Sequence, residues 1–506
     1  MSRSNLATLL ADAAERHPDR PALLHEGEWI DYAGLDARSA RTAGLLRAHG
    51  VDVGDRVGIV LPNTPAFVAA YHGVLRLGAI AVPLNPLLRA PEIRLRLEHA
   101  GATAVLGEAA GSSGAVQLDP EAAAVADPLA DVADRDGADT AVILYTSGTT
   151  GEAKGAELTH EGLRSKAEFL AGPLLRLGSE DVVLGAAPLS HVLGQSGVMN
   201  PAIVAGAGVA LMSRFEAGAA LELMRRSGTT VLLGVPTMCI ALLEAARSMD
   251  EPPQLRIVHA GGASLSPELV RAVTDRFGSE VLEGYGMTET AGVVSTHRTG
   301  QRSKLGSVGT PADGMGLRLA DDHGTEVPRG EIGEVHVRGA GLMRRYWDNP
   351  AATEAALDEA GWFATGDMGY LDEDGYLFLV DRKKDVILRG GYTVYPREIE
   401  DVLASHPDVL EAVALGVPDE TLGEEVVVIV VPRPGATPDP DAIREFVRER
   451  VAAYKYPRAV VIAEELPHSP TGKILRREID RGPLRRALDD RLAAAEPGSR
   501  GRQETT

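Results

Sequence analysis

The sequence predicts a multidomain α/β protein with a large N-terminal domain and a small, mobile C-terminal α+β domain. The length of 506 residues exceeds what one ordinary hydrophobic core supports. Apolar strand-like runs alternate with helical patterns over the first 285 residues, which predicts βαβ units. These strands are too many for one sheet, so we expect two stacked doubly wound sheets. From about residue 306 the helical pattern fades, which indicates a β-barrel-like subdomain.

The N-terminal elements follow from the apolar pattern. A strand at 57–61, a helix at 64–77 and a strand at 80–84 come first, and a loose connection at 107–124 leads to a buried strand at 141–144. Further strands are predicted at 182–184, 209–212, 231–235, 257–260 and 281–282, with helices at 161–175, 217–227, 238–248 and 267–277.

The C-terminal third changes character. Turn-rich β segments at 334–338 and 376–380 precede the charge run Asp381–Asp385, which alone would be a solvated turn. The change of pattern there predicts a large domain over 1–383, a small domain over 384–495 and a disordered tail at 496–506. In the small domain we expect helices at 396–405 and 439–452, strands at 409–417, 425–431 and 459–463, and a terminal helix from about Lys473.

The composition limits the partners and the compartment. Apolar content of 44% and charged content of 24% are typical of a globular protein, and a net charge of −21 argues against nucleic acid or an anionic membrane as partners. No apolar run is long enough to span a bilayer, so we expect a cytoplasmic protein without integral membrane association. The single cysteine, Cys239, excludes an internal disulfide and is interpreted as a buried small hydrophobe.

The stretch YTSGTTGEAKG at 145–155 has the chemistry of a phosphate-binding loop. Glycine lets the backbone approach an anion, and N–H groups, hydroxyls and an ammonium donate to phosphate oxygens. The spacing is not that of a Walker A loop, and the alternative is a simple surface turn. Lys154 is one of only seven lysines in this arginine-rich chain, which favours a specific role. The predicted phosphate-binding residues are Thr146, Ser147, Gly148, Thr149, Thr150, Gly151 and Lys154.

A second motif, EGYGMTETAG at 283–292, follows a predicted strand. Ligands bind at the carboxyl edge of such sheets, where Gly284 and Gly286 would expose the ring of Tyr285 for stacking on a purine. Thr288 can donate to a phosphate or carboxylate, and Glu289 can hold Mg²⁺. The alternative is a turn with an ordinary surface glutamate.

Two further segments add a carboxylate and a lysine. Asp367, in Thr365-Gly366-Asp367, can accept hydrogen bonds from both hydroxyls of a ribose, although a lone acid in a loop is common. Lys473, in PTGKILRRE, follows a Pro-Thr-Gly turn, and the alternative for it is a surface lysine.

Together these motifs resemble the adenylate-forming superfamily of acyl-CoA synthetases, peptide-synthetase adenylation domains and luciferases. The resemblance covers nearly the full length and implies ATP, Mg²⁺ and coenzyme A as cofactors. It implies that Lys473 bridges the acyl carboxylate and the α-phosphate and that Lys384 is the hinge of the small domain. It also implies that Asp367 binds the ribose and that Arg382 is a further ribose or phosphate contact. Gly390 and Gly391 match a loop that lines the pantetheine tunnel.

The resemblance also locates the acid. The segment PLSHVLG at 188–194 lacks the aspartate with which peptide-synthetase domains bind an amino group, so an uncharged acyl chain is favoured. His191 matches a gating residue, and Ser190 and Leu193 stand where many fatty-acid ligases have phenylalanine. We therefore hypothesise a pocket for a fatty or a bulky, polycyclic acid. The residues expected to line it are Val235, Pro236, Met238, Cys239, Gly261, Gly262 and Ala263.

The predicted function is an ATP-dependent acyl-CoA ligase with Lys473, His191, Thr288 and Glu289 as catalytic residues. One alternative is a single half-reaction, either acyl-AMP formation for a carrier protein or thioesterification of a supplied acyl-AMP. Another is a non-catalytic nucleotide-binding module. The predicted partners are the small-molecule acid, ATP and coenzyme A, whereas a homodimer stays open and a carrier protein is less favoured.

Overall fold

The computed structural model describes residues 4–108, 114–146, 153–262, 265–390, 392–419, 421–468 and 474–495. Contacts within the chain divide it into two compact units. Unit 1 comprises residues 1–318, 336–364 and 375–377, and unit 2 comprises residues 319–335, 365–374 and 378–506. The predicted domain boundary at Lys384 stays a prediction, and the predicted tail at 496–506 lies outside the described residues.

Strands and helices alternate through most of unit 1. The strands of the chain are β1 (Pro21–His25), β2 (Glu28–Asp31), β3 (Arg56–Val60), β4 (Ile80–Pro83), β5 (Ala102–Gly107), β6 (Val116–Leu118), β7 (Thr140–Thr146), β8 (Lys154–Thr159), β9 (Val182–Gly185), β10 (Gly208–Leu211), β11 (Val231–Gly234), β12 (Ile257–Gly261), β13 (Glu280–Met287), β14 (Gly292–Thr296), β15 (Thr310–Pro311), β16 (Met315–Ala320), β17 (Gly333–Gly339), β18 (Phe363–Leu371), β19 (Leu377–Arg382), β20 (Ile387–Arg389), β21 (Tyr392–Val394), β22 (Val409–Asp419), β23 (Gly423–Pro432) and β24 (Ala459–Ile462).

The helices begin and end at expected signals. For example, the Ser266 hydroxyl accepts from the Leu269 N–H at 3.2 Å before Pro267, and Gly278 ends the same helix with a φ of +66°. The α-helices are α1 (Thr8–Arg16), α2 (Tyr32–Ala48), α3 (Pro65–Leu77), α4 (Ala90–Ala100), α5 (His160–Phe169), α6 (Asn200–Ala205), α7 (Ala217–Ser227), α8 (Pro236–Ala246), α9 (Pro267–Phe277), α10 (Pro350–Ala356), α11 (Pro396–Ala404), α12 (Pro440–Arg448) and α13 (Arg481–Ala495). Short 3₁₀ helices occur at Pro120–Val125 and Thr288–Thr290, and π-helical turns at Leu170–Leu174 and Leu193–Met199.

Unit 1 contains the two predicted doubly wound sheets. Among the described residues, a nine-stranded sheet has the order β15-β14-β13-β12-β11-β9-β10-β1-β2 and a six-stranded sheet the order β6-β5-β3-β4-β7-β8. The strands from β13 to β1 are parallel, as are those from β6 to β7, and antiparallel strands lie at the edges. The predicted architecture of this region is therefore confirmed.

Helix α3 is buried on nearly every side. Phe67 and Tyr71 are completely buried, and even Arg76 is only 2% exposed. Such an all-round apolar helix fits only in a protein interior. Helix α2 packs closely against it, because a Cβ on Gly73 would lie 2.7 Å from the Thr42 Cβ.

Unit 2 is built around a C-terminal sheet of order β21-β20-β23-β22, with β24 parallel to β23. Successive residues of β23 face two different hydrophobic clusters. Val426, Val428 and Val430 pack with residues of α11 and α12, whereas Val427 and Ile429 pack with residues of α13. The period of two therefore explains why this strand is apolar throughout.

Strands β16, β17, β18 and β19 form a four-stranded sheet in that order. It occupies the part of the sequence in which the turn-rich β subdomain is predicted.

The structure corrects three local predictions. The terminal helix begins at Arg481 and not near Lys473, because the Asp480 carboxylate caps the Gly482 N–H at 2.9 Å and Pro483 lies in the first turn. The helix predicted at 161–175 is α5 followed by a π-helical turn that contains Pro173. The connection predicted at 107–124 contains β6 and a 3₁₀ helix.

Candidate active site

Four parallel strands of unit 1 bring the predicted acyl and nucleotide segments to one sheet edge. Strands β9, β11, β12 and β13 are consecutive neighbours, and Gly261 pairs with Gly284 in the register of the last two. Because parallel strands end at the same edge, Val235, Gly261 and Tyr285 follow one another along it. The segment with His191 follows β9 at the same edge.

Glycines keep this edge free of side chains. A Cβ on Gly284 would lie 2.8 Å from the His259 Nε2, and one on Gly286 would lie 2.2 Å from the Gly292 carbonyl oxygen. A Cβ on Gly261 would lie 3.0 Å from the Gly284 carbonyl oxygen. Neighbouring protein atoms therefore leave no room for a side chain at these three positions, and Tyr285 beside them is largely buried.

A tight 3₁₀ turn positions Thr288 and Glu289. The Thr290 hydroxyl donates to the Gly292 carbonyl at 2.6 Å, and the chain leaves the turn through Ala291 with a φ of +51°. Thr288 is buried and Glu289 is half-buried. The turn thus fixes the backbone of the predicted magnesium ligand.

The predicted phosphate-binding loop falls between two antiparallel strands in the sequence. Thr146 pairs with Lys154 in the register of β7 and β8, and the Thr146 hydroxyl donates to the Lys154 carbonyl at 3.5 Å. A hairpin connection differs from the strand–loop–helix context of a Walker A loop, which agrees with the sequence spacing. The predicted residues Ser147, Gly148, Thr149, Thr150 and Gly151 lie outside the described residues.

Tyr346 links this loop to Glu289 and was not identified from the sequence. The Lys154 ammonium lies 5.1 Å from the centre of the Tyr346 ring, and the Tyr346 hydroxyl donates to the Glu289 Oε1 at 2.9 Å. Burial and the charge of Glu289 raise the pKa of Tyr346, so the phenol stays a donor. The signal available in the sequence is the aromatic pair Tyr346-Trp347, which follows the predicted β segment at 334–338.

The loop with His191 is held by its own backbone and by Asn63. The His191 Nδ1 accepts from the Leu193 N–H at 3.2 Å, which leaves Nε2 to carry the proton of the neutral ring. The buried Asn63 accepts from the Leu189 N–H at 2.8 Å and donates to the Ala187 carbonyl at 2.8 Å. Sequence analysis missed Asn63, which comes from the other sheet of unit 1.

The candidate acyl-pocket residues surround the N-terminus of α8. Met238 and Cys239 belong to the hydrophobic core, with Val235 packed against it. Cys239 is buried, so the prediction of a buried small hydrophobe is confirmed, and this burial raises the pKa of its thiol to about 12. Gly262 has a φ of +82°, and its Cβ would lie 3.6 Å from the Val235 side chain. The predicted residue Ala263 lies outside the described residues.

In unit 2, Asp367 is oriented by an ion pair and by its own strand. The Arg382 Nε lies 3.2 Å from the Asp367 Oδ1, and the Asp367 N–H donates to the Thr365 hydroxyl at 3.1 Å. The Thr365 hydroxyl in turn donates to the Val335 carbonyl at 2.8 Å. The residue Asp367 as a whole is only 8% exposed, so its carboxylate has a well-defined position.

The two lysines of the charge run differ in their surroundings. The Lys383 ammonium contacts Asp322 at 2.8 Å and Glu334 at 3.0 Å, and these hydrogen bonds raise its pKa. Desolvation and the nearby Arg382 instead lower the pKa of Lys384. Lys383 therefore belongs to a salt bridge on the surface, whereas Lys384 is partly desolvated among charges of both signs.

The two remaining segments are only partly described. Gly390 has a φ of +57° and donates its N–H to the Leu422 carbonyl at 2.7 Å, which gives a conformational reason for glycine. Gly391 and Lys473 lie outside the described residues. In the described residues that follow Lys473, the Arg476 Nη2 donates to Oε1 and Oε2 of Glu400, at 2.6 and 2.7 Å.

The residues present fit a magnesium ion bound together with a nucleotide. Within the described ranges, no group of three or more His, Cys, Asp or Glu side chains could hold a metal ion alone. Mg²⁺ typically takes one or two carboxylates and completes its shell with substrate phosphates and water. Glu289, whose Oε1 accepts a hydrogen bond from the Tyr346 hydroxyl, would be such a carboxylate.

Across the described ranges, no helix is both long enough and apolar enough to cross a membrane. The cytoplasmic location stays a prediction.

Comparison with known proteins defines the class. Residues 10–347 match the family of AMP-binding enzymes, and residues 398–473 match the C-terminal domain of AMP-binding enzymes. The chain is 38% identical over 493 residues to a feruloyl-CoA synthase of Amycolatopsis sp, covering 95% of this chain and 99% of that protein. It is 31% identical over 533 residues to a long-chain-fatty-acid–CoA ligase of Bacillus subtilis, covering 95% of this chain and 94% of that protein.

Solved structures agree. ATP-bound MatB from Rhodopseudomonas palustris has a TM-score of 0.87 at 32% identity, covering 93% of this chain and 97% of that chain. The o-succinylbenzoate–CoA synthetase MenE from Bacillus subtilis, in complex with ATP and magnesium ion, has a TM-score of 0.83 at 32% identity, covering 93% and 98%.

The fold is thus that of an AMP-forming acid–CoA ligase, and the prediction of this enzyme class is confirmed. The chain belongs to the AMP-binding enzyme family, within the adenylate-forming acyl-CoA synthetase superfamily. Enzymes of this class use ATP with Mg²⁺ and coenzyme A, so the predicted cofactors are confirmed as well.

Proposed function

We propose that this ligase activates a hydrophobic carboxylic acid, fatty or bulky and polycyclic, and completes both half-reactions. The acid and ATP give acyl-AMP and pyrophosphate, and the thiol of coenzyme A then displaces AMP. The observation that carries the proposal is the common edge of β9, β11, β12 and β13, where an apolar wall and a nucleotide-binding motif adjoin.

The assigned roles follow from chemistry and position. Tyr285 stacks on the purine and Asp367 accepts from the ribose hydroxyls, whereas Thr146 and Lys154 flank the loop that holds the phosphates. Glu289 ligates the metal, and Thr288 donates to a phosphate or to the acyl carboxylate. His191 gates the passage between acid and thiol, and Lys384 is the hinge.

Lys473 has the central role in the first half-reaction. Attack of a carboxylate on the α-phosphorus brings anions together, and an ammonium between them stabilises the transition state. A bound Mg²⁺ would supply further positive charge to the phosphate oxygens. Gly390 and Gly391 would line the path of the pantetheine in the second half-reaction.

The apolar wall supports an acid without a second charge. Met238 and Cys239 are buried, and Val235 packs against the same core. The segment 188–194 supplies no carboxylate to an amino group, and it supplies no cation other than His191 to a second carboxylate. The related proteins whose names specify aromatic or long-chain acids, feruloyl-CoA synthase and long-chain-fatty-acid–CoA ligase, support the same class.

An acid panel tests the proposal. The purified protein is incubated with ATP, Mg²⁺ and coenzyme A plus short-chain, long-chain, phenylpropanoid, polycyclic, dicarboxylic or amino acids, and pyrophosphate and acyl-CoA are quantified separately. We expect both products with hydrophobic acids and neither with dicarboxylic or amino acids. Turnover of charged acids alone would refute the substrate class, and pyrophosphate without thioester would refute the second half-reaction.

A further inference from the structure

One aromatic side chain, Tyr346, contacts both charged groups that flank the phosphate-binding region of unit 1. Its hydroxyl donates to the Glu289 Oε1 at 2.9 Å, and its ring faces the Lys154 ammonium at 5.1 Å. Glu289 lies on the turn after β13, whereas Lys154 is the first residue of β8. Tyr346 therefore joins two elements that are 135 positions apart in the sequence.

The backbone around Tyr346 is fixed on β8. Tyr346 forms an antiparallel bridge with Ala156, and the Trp347 N–H donates to the Gly155 carbonyl at 2.7 Å. The Tyr346 N–H itself donates to the Thr353 hydroxyl at 3.1 Å. With only 6% of its surface exposed, the side chain has little freedom to leave its position.

The ring and the hydroxyl of Tyr346 give the two opposite charges separate contacts. Within the described part of the chain, the Lys154 ammonium makes its contact with the ring and not with a carboxylate. An ammonium and a carboxylate only a few ångströms apart in a half-buried site attract each other strongly. Direct pairing of Lys154 with Glu289 would remove the ammonium from phosphate oxygens and the carboxylate from a metal ion.

We infer that Tyr346 is a positioning residue for adenylation. Its hydroxyl orients the Glu289 carboxylate towards Mg²⁺, and its ring holds Lys154 near the phosphates without neutralising it. This inference rests on the proposed binding of MgATP by Lys154 and Glu289 and adds a residue to which no role has been assigned. Because acyl-AMP hydrolysis and thioester formation need no pyrophosphate leaving group, the effect is confined to the first half-reaction.

The substitution Tyr346→Phe separates the hydroxyl from the ring. Loss of a group that orients a metal ligand weakens metal binding by about 10–100-fold. By calorimetry we expect the Kd of MgATP to rise by about tenfold or more, and the Kd of ATP in EDTA to stay that of the wild type. Acid-dependent pyrophosphate release should need correspondingly more Mg²⁺, and thioester formation from supplied acyl-AMP should be unchanged.

The substitution Tyr346→Leu removes the ring as well. With Lys154 free to pair with Glu289, the Kd of ATP in EDTA should now rise too. The matched control is Tyr376→Phe, which removes the hydroxyl that donates to the Arg302 carbonyl at 2.6 Å elsewhere in unit 1. The control should alter neither Kd.

The outcomes are distinct. An unchanged Kd of MgATP in Tyr346→Phe would overturn the inference, as would an equal loss in both half-reactions with a lowered Tm, because that is the signature of a purely structural role. If wild-type protein fails to bind MgATP at all, the proposed function falls first. If wild type binds and Tyr346→Phe binds equally, only the inference falls.

Discussion

Within each of the two units, different forces hold the candidate site residues in place. In unit 1, strand register and uncharged hydrogen bonds position Tyr285 and Thr288, and the ammonium of Lys154 faces a ring. In unit 2, Asp367 and its surroundings are held mainly by ion pairs, including Arg382 with Asp367 at 3.2 Å. The segment that follows the charge run is anchored by Arg389 and Glu425.

The difference has a physical consequence. Hydrogen bonds between strands are insensitive to ionic strength, whereas an exposed ion pair weakens with salt and a buried one fails when either partner is removed. We therefore expect removal of one partner of a buried ion pair in unit 2 to destabilise the protein, and removal of one partner of an exposed pair to have little effect.

The largest effect is expected for Arg389→Met in unit 2. The Arg389 Nη2 lies 2.9 Å from the Glu425 Oε2, and the two side chains are 11% and 4% exposed. Removing one partner of a buried pair leaves an uncompensated charge and costs about 3–5 kcal/mol. We expect a loss of unfolding free energy near the lower end of this range, because the Arg458 Nε still lies 3.6 Å from the Glu425 carboxylate and partly compensates its charge. Urea unfolding followed by a probe in unit 2 measures it.

Arg448→Met is the matched control for that substitution. Arg448 pairs with Glu445 on the surface of α12, with side chains 53% and 40% exposed. Exposed pairs contribute about 0–1 kcal/mol, so its unfolding midpoint should hardly move. Equal losses for both variants would contradict the assignment of a buried anchor.

Asp367→Asn should give the next largest effect, on binding. Hydrogen bonds to a charged group contribute about 1.5–3 kcal/mol, which is roughly 10–100-fold in affinity. We expect the KM for ATP to rise within that range, with little change in the acid's KM. Asp322→Asn, whose carboxylate side chain is 82% exposed beside Lys383, is the control and should leave both values near those of the wild type. A wild-type KM for ATP in Asp367→Asn would remove Asp367 from the nucleotide site.

Sequence reasoning succeeded where local pattern determines structure. Apolar runs and caps predicted β9, β11, β12 and α9 within a residue or two, because strand period, proline and glycine act over a few positions. For the same reason EGYGMTETAG could be assigned to the end of a strand.

Sequence reasoning failed where the two residues of a contact lie far apart in the chain. Tyr346 with Glu289 and Asn63 with Leu189 are contacts between segments whose separation no periodicity reveals. Helix α13 begins at Arg481 because Asp480 caps it and Pro483 lies in its first turn. Both residues can be read in the sequence, but the prediction began the helix near Lys473.

A smaller effect, on the pH dependence of the free energy of unfolding, is expected from the buried Lys166 in unit 1. It is 3% exposed in unit 1, donates to the Val293 carbonyl at 2.7 Å, and burial lowers its pKa to about 8. Between about pH 8 and the ordinary lysine pKa near 10.4, the unfolded chain keeps a proton that the folded chain has released. The free energy of unfolding contributed by this group therefore rises with pH, by up to about 1.4 kcal/mol per unit.

Lys166→Met should remove this slope. The difference in unfolding free energy between wild type and variant, measured at pH 7.5, 9 and 10, should shift in favour of the wild type as pH rises. A constant difference across these values would mean that the folded pKa of Lys166 is not lowered.

We propose that one chain carries out two separable half-reactions with a hydrophobic acid. Lys473 acts in the first of them. The most direct measurement compares wild type with Lys473→Ala for acid-dependent pyrophosphate release and, separately, for thioester formation from supplied acyl-AMP. We predict that the variant loses the first activity by about 100-fold or more, as expected for removal of a group that stabilises transition-state charge, and retains the second. Equal pyrophosphate release by both proteins, or loss of both activities in a folded variant, would contradict the account.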